Sequence, residues 1–219
     1  METLLQDIRD ACRTIAKQPG FAAIVTLCVA LGIGVNSTIF SIVDAIIIRP
    51  LPFKSPEELV ILVRTHPADG LEREGLSYPE LQDFRERTRT FTDLAGVNVR
   101  PLVLSDGDEP ERLLGSLVSA GLFPMLGVEP VLGRQFRPEE DRPGAPRVAI
   151  LSHGLWQRKY ASDPEVLGRA ITVDGNPHTV IGVMPPSFRF PEVTQLWIPQ
   201  APILYAGKRG VVRDLWVYA

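Results

Sequence analysis

Cysteine is scarce in this sequence: Cys12 and Cys28 are the only two among 219 residues. Both lie in or before one long apolar run, so everything after it must hold its fold without a disulfide framework. Histidine is scarce as well. His66, His153 and His178 fall among turns and element ends, with no second ligand at metal spacing, so no zinc site is expected. Neither sign of charge dominates, with 23 Lys and Arg against 26 Asp and Glu, which removes the basic footprint of a nucleic-acid partner. No low-complexity tract and no internal repeat interrupts the chain. The phosphate loop Gly-x-x-x-x-Gly-Lys-Ser/Thr is missing, and "AGKRG" (206–210) reads as a basic turn. Ser152 stands beside His153, but no Gly-x-Ser-x-Gly elbow surrounds it and adjacent side chains at a helix start point apart. Ser152 is expected to be an N-cap. From these absences the chain is expected to be no enzyme and to use no cofactor and no metal.

What the sequence does have is length without charge. From Phe21 to Ile48, "FAAIVTLCVALGIGVNSTIFSIVDAIII" carries one formal charge over about 28 residues, beyond the roughly 20 needed to cross a bilayer core. At about 1.5 Å per residue it reaches about 42 Å, so its last turns are expected to stand clear of the lipid, where the Asp44 carboxylate is cheap. A signal peptide would be shorter and would end at a small-residue cleavage site. Before it, Leu4, Leu5, Ile8, Ala11, Cys12 and Ile15 recur at helical spacing opposite Asp7, Arg9, Asp10, Arg13 and Lys17. Residues 1–20 are therefore expected to form an interfacial amphipathic helix, broken at Pro19 and Gly20 ahead of a transmembrane helix over 21–48. Flanking charge does not orient the span, since Arg9, Arg13 and Lys17 on one side face Arg49, Lys54 and Arg64 on the other. Along the span Ala30, Gly34, Ser37, Ser41 and Ala45 share a narrow stripe with Asp44 about 40 degrees away. Small side chains in a row let a second helix approach closely, and these six residues are the candidate helix-packing site.

Residues 49–219 alternate short strands and helices behind Pro50, Pro52 and Pro56. "ELVILVRT" (58–65) is expected to be a buried strand. "SYPELQDFRERT" (77–88) is expected to be a helix capped by Ser77, with Tyr78, Leu81, Phe84 and Arg85 on one side. Two extended runs around Asp106, Gly107 and Asp108 predict a hairpin. A short helix at "AGLFPMLGV", a loop at "GRQFRPEEDRPGAP", a strand at "RVAIL" and a helix at "SHGLWQRKYASD" follow. Strands at "AITVD" and "HTVIGVM" flank the turn Asp174, Gly175 and Asn176, and "LWIP" and "DLWVYA" are the last two. The closing "DLWVYA" is apolar on both faces, and it is expected to be an edge open to association. Trp156, Trp197 and Trp216 are expected in the core or at a subdomain contact. Together these elements give an α+β domain.

"GLFPMLGVEPVLGRQFRPEED" followed by "VAILSHGLWQRKYASDPEVLGRAITVDGNPHTVIGVMPPSFRFP" resembles the periplasmic core domain of MacB-type ABC transporter permeases. The start, "LLQDIRDACRTIAKQPGFAAIVTLCVALGIGVNSTIFSIVDAIIIRPLPF", is similar to the first membrane segment of the large duplicated FtsX-like permeases of acidobacteria and relatives. The resemblance implies a bacterial inner membrane protein with a cytoplasmic amino terminus and a periplasmic domain after about residue 50. It also implies partners: the lipid bilayer, the remaining permease helices or a second permease copy, and a separate ABC ATPase subunit whose hydrolysis moves the outer domain. Family members continue with further spanning helices where this sequence stops at "DLWVYA", so the chain resembles the amino-terminal portion of such a permease. Two alternatives stay open, a self-standing membrane-anchored extracytoplasmic binding or sensing domain, or a truncated permease.

Overall fold

A computed structural model describes residues 19–43, 53, 58–66, 71–107, 109–191, 193–204 and 215–219. The expected interfacial helix up to residue 18, the stretch from Asp44 to Pro52, Asp108 and the basic turn at 206–210 lie outside the described residues. The chain divides into two compact units, Met1–Leu51 and Pro52–Ala219.

Among the described residues of the first unit, helix α1 (Pro19–Val43) runs without interruption through Gly32, Gly34 and Asn36. Its 18-residue stretch Ala23–Phe40 is long and apolar enough to cross a membrane. All of those side chains are exposed. The helix satisfies its own backbone groups, which is what a segment without water around it requires.

The second unit is built on strands β1 (Ile61–Leu62), β2 (Arg64–His66), β3 (Leu71–Glu74), β4 (Ala95–Leu104), β5 (Glu111–Val118), β6 (Leu132–Gly133), β7 (Val148–Leu151), β8 (Ala170–Val173), β9 (Asn176–Val183), β10 (Leu196–Pro199) and β11 (Trp216–Tyr218). Helices α2 (Tyr78–Arg87), α3 (Leu122–Leu126), α4 (His153–Tyr160) and α5 (Ala201–Leu204) alternate with them. The order β1-β11-β4-β5-β10-β7-β9-β6 forms one mixed sheet, while β2 and β3 pair separately. Two pairs are parallel, β10 with β5 and β7 with β9; the remaining ladders are antiparallel.

β8 pairs with both β9 and β4, which curls six of these strands, β4-β5-β10-β7-β9-β8, into a closed ring. The closure rests on Leu104 opposite Val173, on Ser105 N donating to Thr172 O at 2.8 Å and on Asp174 N donating to Val103 O at 2.8 Å. Alternation along each strand then sorts side chains to the two sides of the ring. Inside lie Leu102, Leu104, Leu113, Leu117, Leu151, Val173, Leu196 and Ile198, all buried. Gly115 also faces in. A β-carbon there would lie 2.1 Å from Leu102 Cδ1, so only glycine lets β4 and β5 pack at this point. Outside, Val97, Val118, Ile150 and Trp197 pack against α3 and against Phe53, Phe136 and Phe188. A third cluster, Leu76, Leu81, Leu94, Leu215 and Val217, seats α2 beside β11.

The local expectations hold where short-range chemistry decides. Tyr78–Arg87 is helical behind Ser77, whose N–H and hydroxyl both donate to the Glu80 carboxylate at 2.8 and 2.7 Å. Ser152 caps α4, its Oγ accepting from Leu155 N at 3.1 Å. The hairpin forms, with Val97 to Leu104 opposite Val118 to Glu111. Two expectations are corrected. The run 58–65 is not a buried strand: β1 is a two-residue edge, and its Ile61 and the preceding Val60 are exposed, because its outer side has no neighbouring strand among the described residues. "DLWVYA" is not an edge, since β11 pairs antiparallel with β1 on one side and β4 on the other.

Candidate functional site

The most elaborate polar construction in the domain is the loop between β6 and β7, and it starts from a glycine. Gly133 has φ +81°, and a β-carbon there would sit 2.1 Å from Ile181 O, so the chain turns tightly against β9. The turn aims Arg134 back along the loop, where its Nη1 and Nη2 donate to both oxygens of Glu140 at 2.9 and 2.6 Å. Pro138 opens a short 3-10 turn, Pro138–Glu140, that brings the Arg137 N–H onto the same carboxylate at 2.9 Å. Burial works to raise the Glu140 carboxyl, but the Arg134 fork and the Arg137 amide outweigh it and hold it below its ordinary value. The matching effect raises Arg134.

Asp141, next along, works in the opposite sense. Its Oδ1 accepts from Ala201 N at 2.9 Å and its Oδ2 from Ala120 N at 3.1 Å. These two amides leave the carboxyl ends of the parallel neighbours β10 and β5, so one side chain ties the loop across both strands. Burial dominates here and pushes the carboxyl up, despite the two amides and the nearby Arg85. The clasp forms one wall of an open cleft of ≈ 620 Å³ whose other walls include Tyr78, Gln82 and Arg85 of α2 and Asp93. Arg85 itself is engaged, donating from Nε and Nη2 to Leu94 O at 3.0 and 2.6 Å. With both carboxylates and Arg85 committed to structural bonds, the arrangement fastens segments together.

A second set of contacts fastens the β4–β5 hairpin. Glu111 pairs with Arg158 of α4, Asp106 with Arg169 at 3.3 Å, and Arg100 with Asp174 at 3.0 Å. Arg169 also lies over the Tyr160 ring, 5.4 Å from its centroid. Burial, with the Asp106 carboxylate alongside, pushes the Tyr160 phenol up. Each exposed pair is worth about 0–1 kcal/mol, so they orient the hairpin, while the buried leucines supply its stability.

Of the residues singled out in the sequence, Ala30, Gly34 and Ser37 lie along α1, all exposed, and the hydroxyl of Thr38 donates to Gly34 O at 2.8 Å. Ser41 is in the same unbroken helix; Asp44 and Ala45 lie outside the described residues. Trp197 is fully buried, its indole N–H donating to Phe190 O at 3.1 Å, whereas Trp156 is half-buried and Trp216 is exposed. His153 packs edge-on to Trp156, and among the described residues no group of three His, Cys, Asp or Glu side chains converges. Arg134, Glu140 and Asp141 lie in the segment expected as the loop "GRQFRPEEDRPGAP" and are not among the candidate site residues of the sequence. The signal in "LGRQFRPEED" was the pairing of a glycine before the arginine with a proline two residues before the first acid of the pair Glu140 and Asp141.

The chain carries an apolar helix of membrane-crossing length and a mixed α+β domain with a strand-closed core, and the family comparison places that domain among the periplasmic domains of ABC-type transporter permeases. The chain belongs to the MacB-like periplasmic core domain family, whose profile it matches over residues 22–218. Three solved structures share the fold. The periplasmic region of MacB from Actinobacillus actinomycetemcomitans aligns with TM-score 0.55 and 15% identity over 73% of this chain and 72% of that one. The extracellular domain of the ABC-type transporter YknZ from Gram-positive bacteria gives TM-score 0.55 and 11% identity over 74% of this chain and 83% of its own. A domain of a proposed permease from Porphyromonas gingivalis gives TM-score 0.53 and 18% identity over 76% of each. No curated protein matches the sequence.

Proposed function

We propose that this chain is a non-catalytic membrane component of an ABC-type transporter, whose extracytoplasmic domain transmits motion driven by a separate ATPase subunit. The observation that carries the reading is family membership extending from residue 22, inside the apolar helix, to residue 218 at the end of the last strand. Helix and domain therefore belong to one family unit. In this reading residues 1–20 lie in the interface of the inner membrane on the cytoplasmic side, 21–48 span it, and 49–219 form the periplasmic domain. The closed ring and its loop clasp suit a part that must move as one body, because a ring with no free edge between its six strands resists shear. Ala30, Gly34, Ser37, Ser41, Asp44 and Ala45 face the partner helices, from the same permease or a second copy.

Reporter fusions at Gly20 and Gly107 in the full chain test the reading. A cytoplasmic signal at Gly20 and a periplasmic one at Gly107 are expected, and a cytoplasmic signal at Gly107 overturns it. Purified chain is expected to turn over no ATP; turnover abolished by a point substitution within the chain would remove the non-catalytic part of the proposal.

A further inference from the structure

One mouth of the six-stranded ring is polar, and the polarity is built from side chains that point inward. Arg100 has the same parity on β4 as Leu102 and Leu104, His178 the same parity on β9 as Val180, and Arg147 precedes β7 in phase with Ala149 and Leu151. With Val173, Asp174, Ile198 and Ile203 they bound a pocket of ≈ 230 Å³. Mouths of small barrels are common ligand sites, and a pocket below the roughly 300–1,000 Å³ of drug-sized sites suits a ligand of a few heavy atoms.

The donors and acceptors in this mouth are not all engaged. Arg100 Nη2 is paired with Asp174 Oδ2 at 3.0 Å, and Asp174 Oδ1 accepts from Val103 N at 2.8 Å. Arg147 has no side-chain partner among the described residues. His178 is 3% exposed, and its Nδ1 lies 2.9 Å from Asn176 O. A carbonyl only accepts, so Nδ1 carries the proton and Nε2 is left as an acceptor. Nε2 too has no partner among the described residues. Burial first, and the nearby Arg147 in addition, push this imidazole down and keep it neutral, against the weaker pull of the Asn176 carbonyl and Asp174. The mouth thus presents the Arg147 guanidinium beside the His178 Nε2 acceptor, over an apolar floor of Val173, Ile198 and Ile203.

We propose that this mouth binds a small carboxylate that carries an adjacent hydrogen-bond donor, a hydroxy acid or an amino acid: the carboxylate on Arg147, the hydroxyl or ammonium on His178 Nε2, the carbon side on Val173, Ile198 and Ile203. A plain carboxylate would meet the guanidinium but leave Nε2 facing no donor, and an amide analogue would lose the charge. The site is independent of the mechanical role proposed above, since it requires neither an ATPase nor a particular membrane orientation.

The test uses the full chain in nanodiscs with labelled histidine, following the imidazole resonances; His178→Gln assigns the His178 signal. Probes are L-lactate, L-alanine, acetate and lactamide. Saturable shifts of the His178 signal are expected with lactate or alanine, the stronger of the two naming the class. Acetate is expected to bind at least several-fold more weakly and lactamide not at all. Arg147→Gln, at a half-exposed side chain with no side-chain partner among the described residues, is expected to weaken binding at least tenfold with an unchanged melting temperature. His178→Gln is expected to erase the preference over acetate, read by calorimetry. Non-saturating shifts shared by all four probes, or saturable binding that survives Arg147→Gln, overturn the proposal even if the histidine variant fails to fold.

Discussion

Helix α1 and the ring domain are both rich in large apolar side chains, and they dispose of them in opposite ways. Ile24, Leu27, Leu31, Ile33 and Phe40 are more than half exposed, while Phe123, Leu102, Leu151 and Trp197 are fully buried by their own unit. An apolar surface of that extent is removed from water only by a medium as apolar as itself, and a helix with internally satisfied backbone is a form that medium accepts. The glycines make the same contrast. Nothing lies within 4 Å of a β-carbon placed on Gly32 or Gly34, whereas on Gly115 or Gly133 it would strike a neighbour at 2.1 Å. In the helix a glycine leaves open space at the surface; in the ring it marks a place already filled.

The largest expected break in this contrast is Trp197→Ala. Removing a fully buried indole that packs on Phe123 and Phe188 is expected to cost the domain about 3–5 kcal/mol, while Leu31→Ala leaves domain melting unchanged. Thermal melts of both variants in detergent decide it, and equal shifts would mean that α1 is covered by protein after all. Next comes the glycine pair. Gly115→Ala is expected to destabilise by about 1–3 kcal/mol through overpacking against Leu102, and Gly34→Ala to leave stability equal or higher.

The clasp sharpens the comparison through pH. Glu140→Gln is expected to cost about 1–2 kcal/mol at neutral pH, reduced from the full charge-assisted value because Arg134 is partly exposed. Glu140 is held below its ordinary value of 4.5, so its stabilisation is present above that value and lost as pH falls through the lower, folded-state one. Asp141 is raised above its ordinary 3.8, so its ionisation in the folded state is a cost, relieved as pH falls through the raised value. Denaturant midpoints measured from neutral to acid pH are expected to show the Glu140→Gln deficit shrinking on acidification. A deficit that grows would mean the Arg134 pair does not form. Variation of this kind is not expected from α1, whose described residues carry no ionisable carboxylate.

The smallest effect on the chain alone is expected from the helix face. Gly34→Leu should leave folding of the ring domain untouched and weaken crosslinking to partner helices, while Cys28→Leu, on another side of α1, is tolerated. Losses spread evenly around a leucine scan of the helix would remove the packing face from the proposal.

Much of the local structure was legible because its causes are local. Ser77 with Glu80, Ser152 ahead of α4 and the Asp174, Gly175 turn each place the deciding groups within a few residues of one another. Glu140 and Asp141 were not legible as buried groups. An acid pair between prolines looks solvated until the partners are known, and Asp141 meets amides 21 and 60 residues away. The run 58–65 failed for a related reason: apolar content predicts burial only when something lies on the far side, and β1 is an outermost strand.

By itself the sequence determined that an apolar helix precedes an α+β domain and where most elements begin and end, since hydrophobic length, period and capping act over one or two turns of chain. Only the tertiary structure decided that β11 lies inside the sheet, that Leu104 meets Val173 to close the ring, and that Arg100, Arg147 and His178 share one mouth. Those facts depend on which strands pair across long loops, and the free energy of such pairing comes from the assembled core, with no contribution large enough in any single segment to reveal it beforehand.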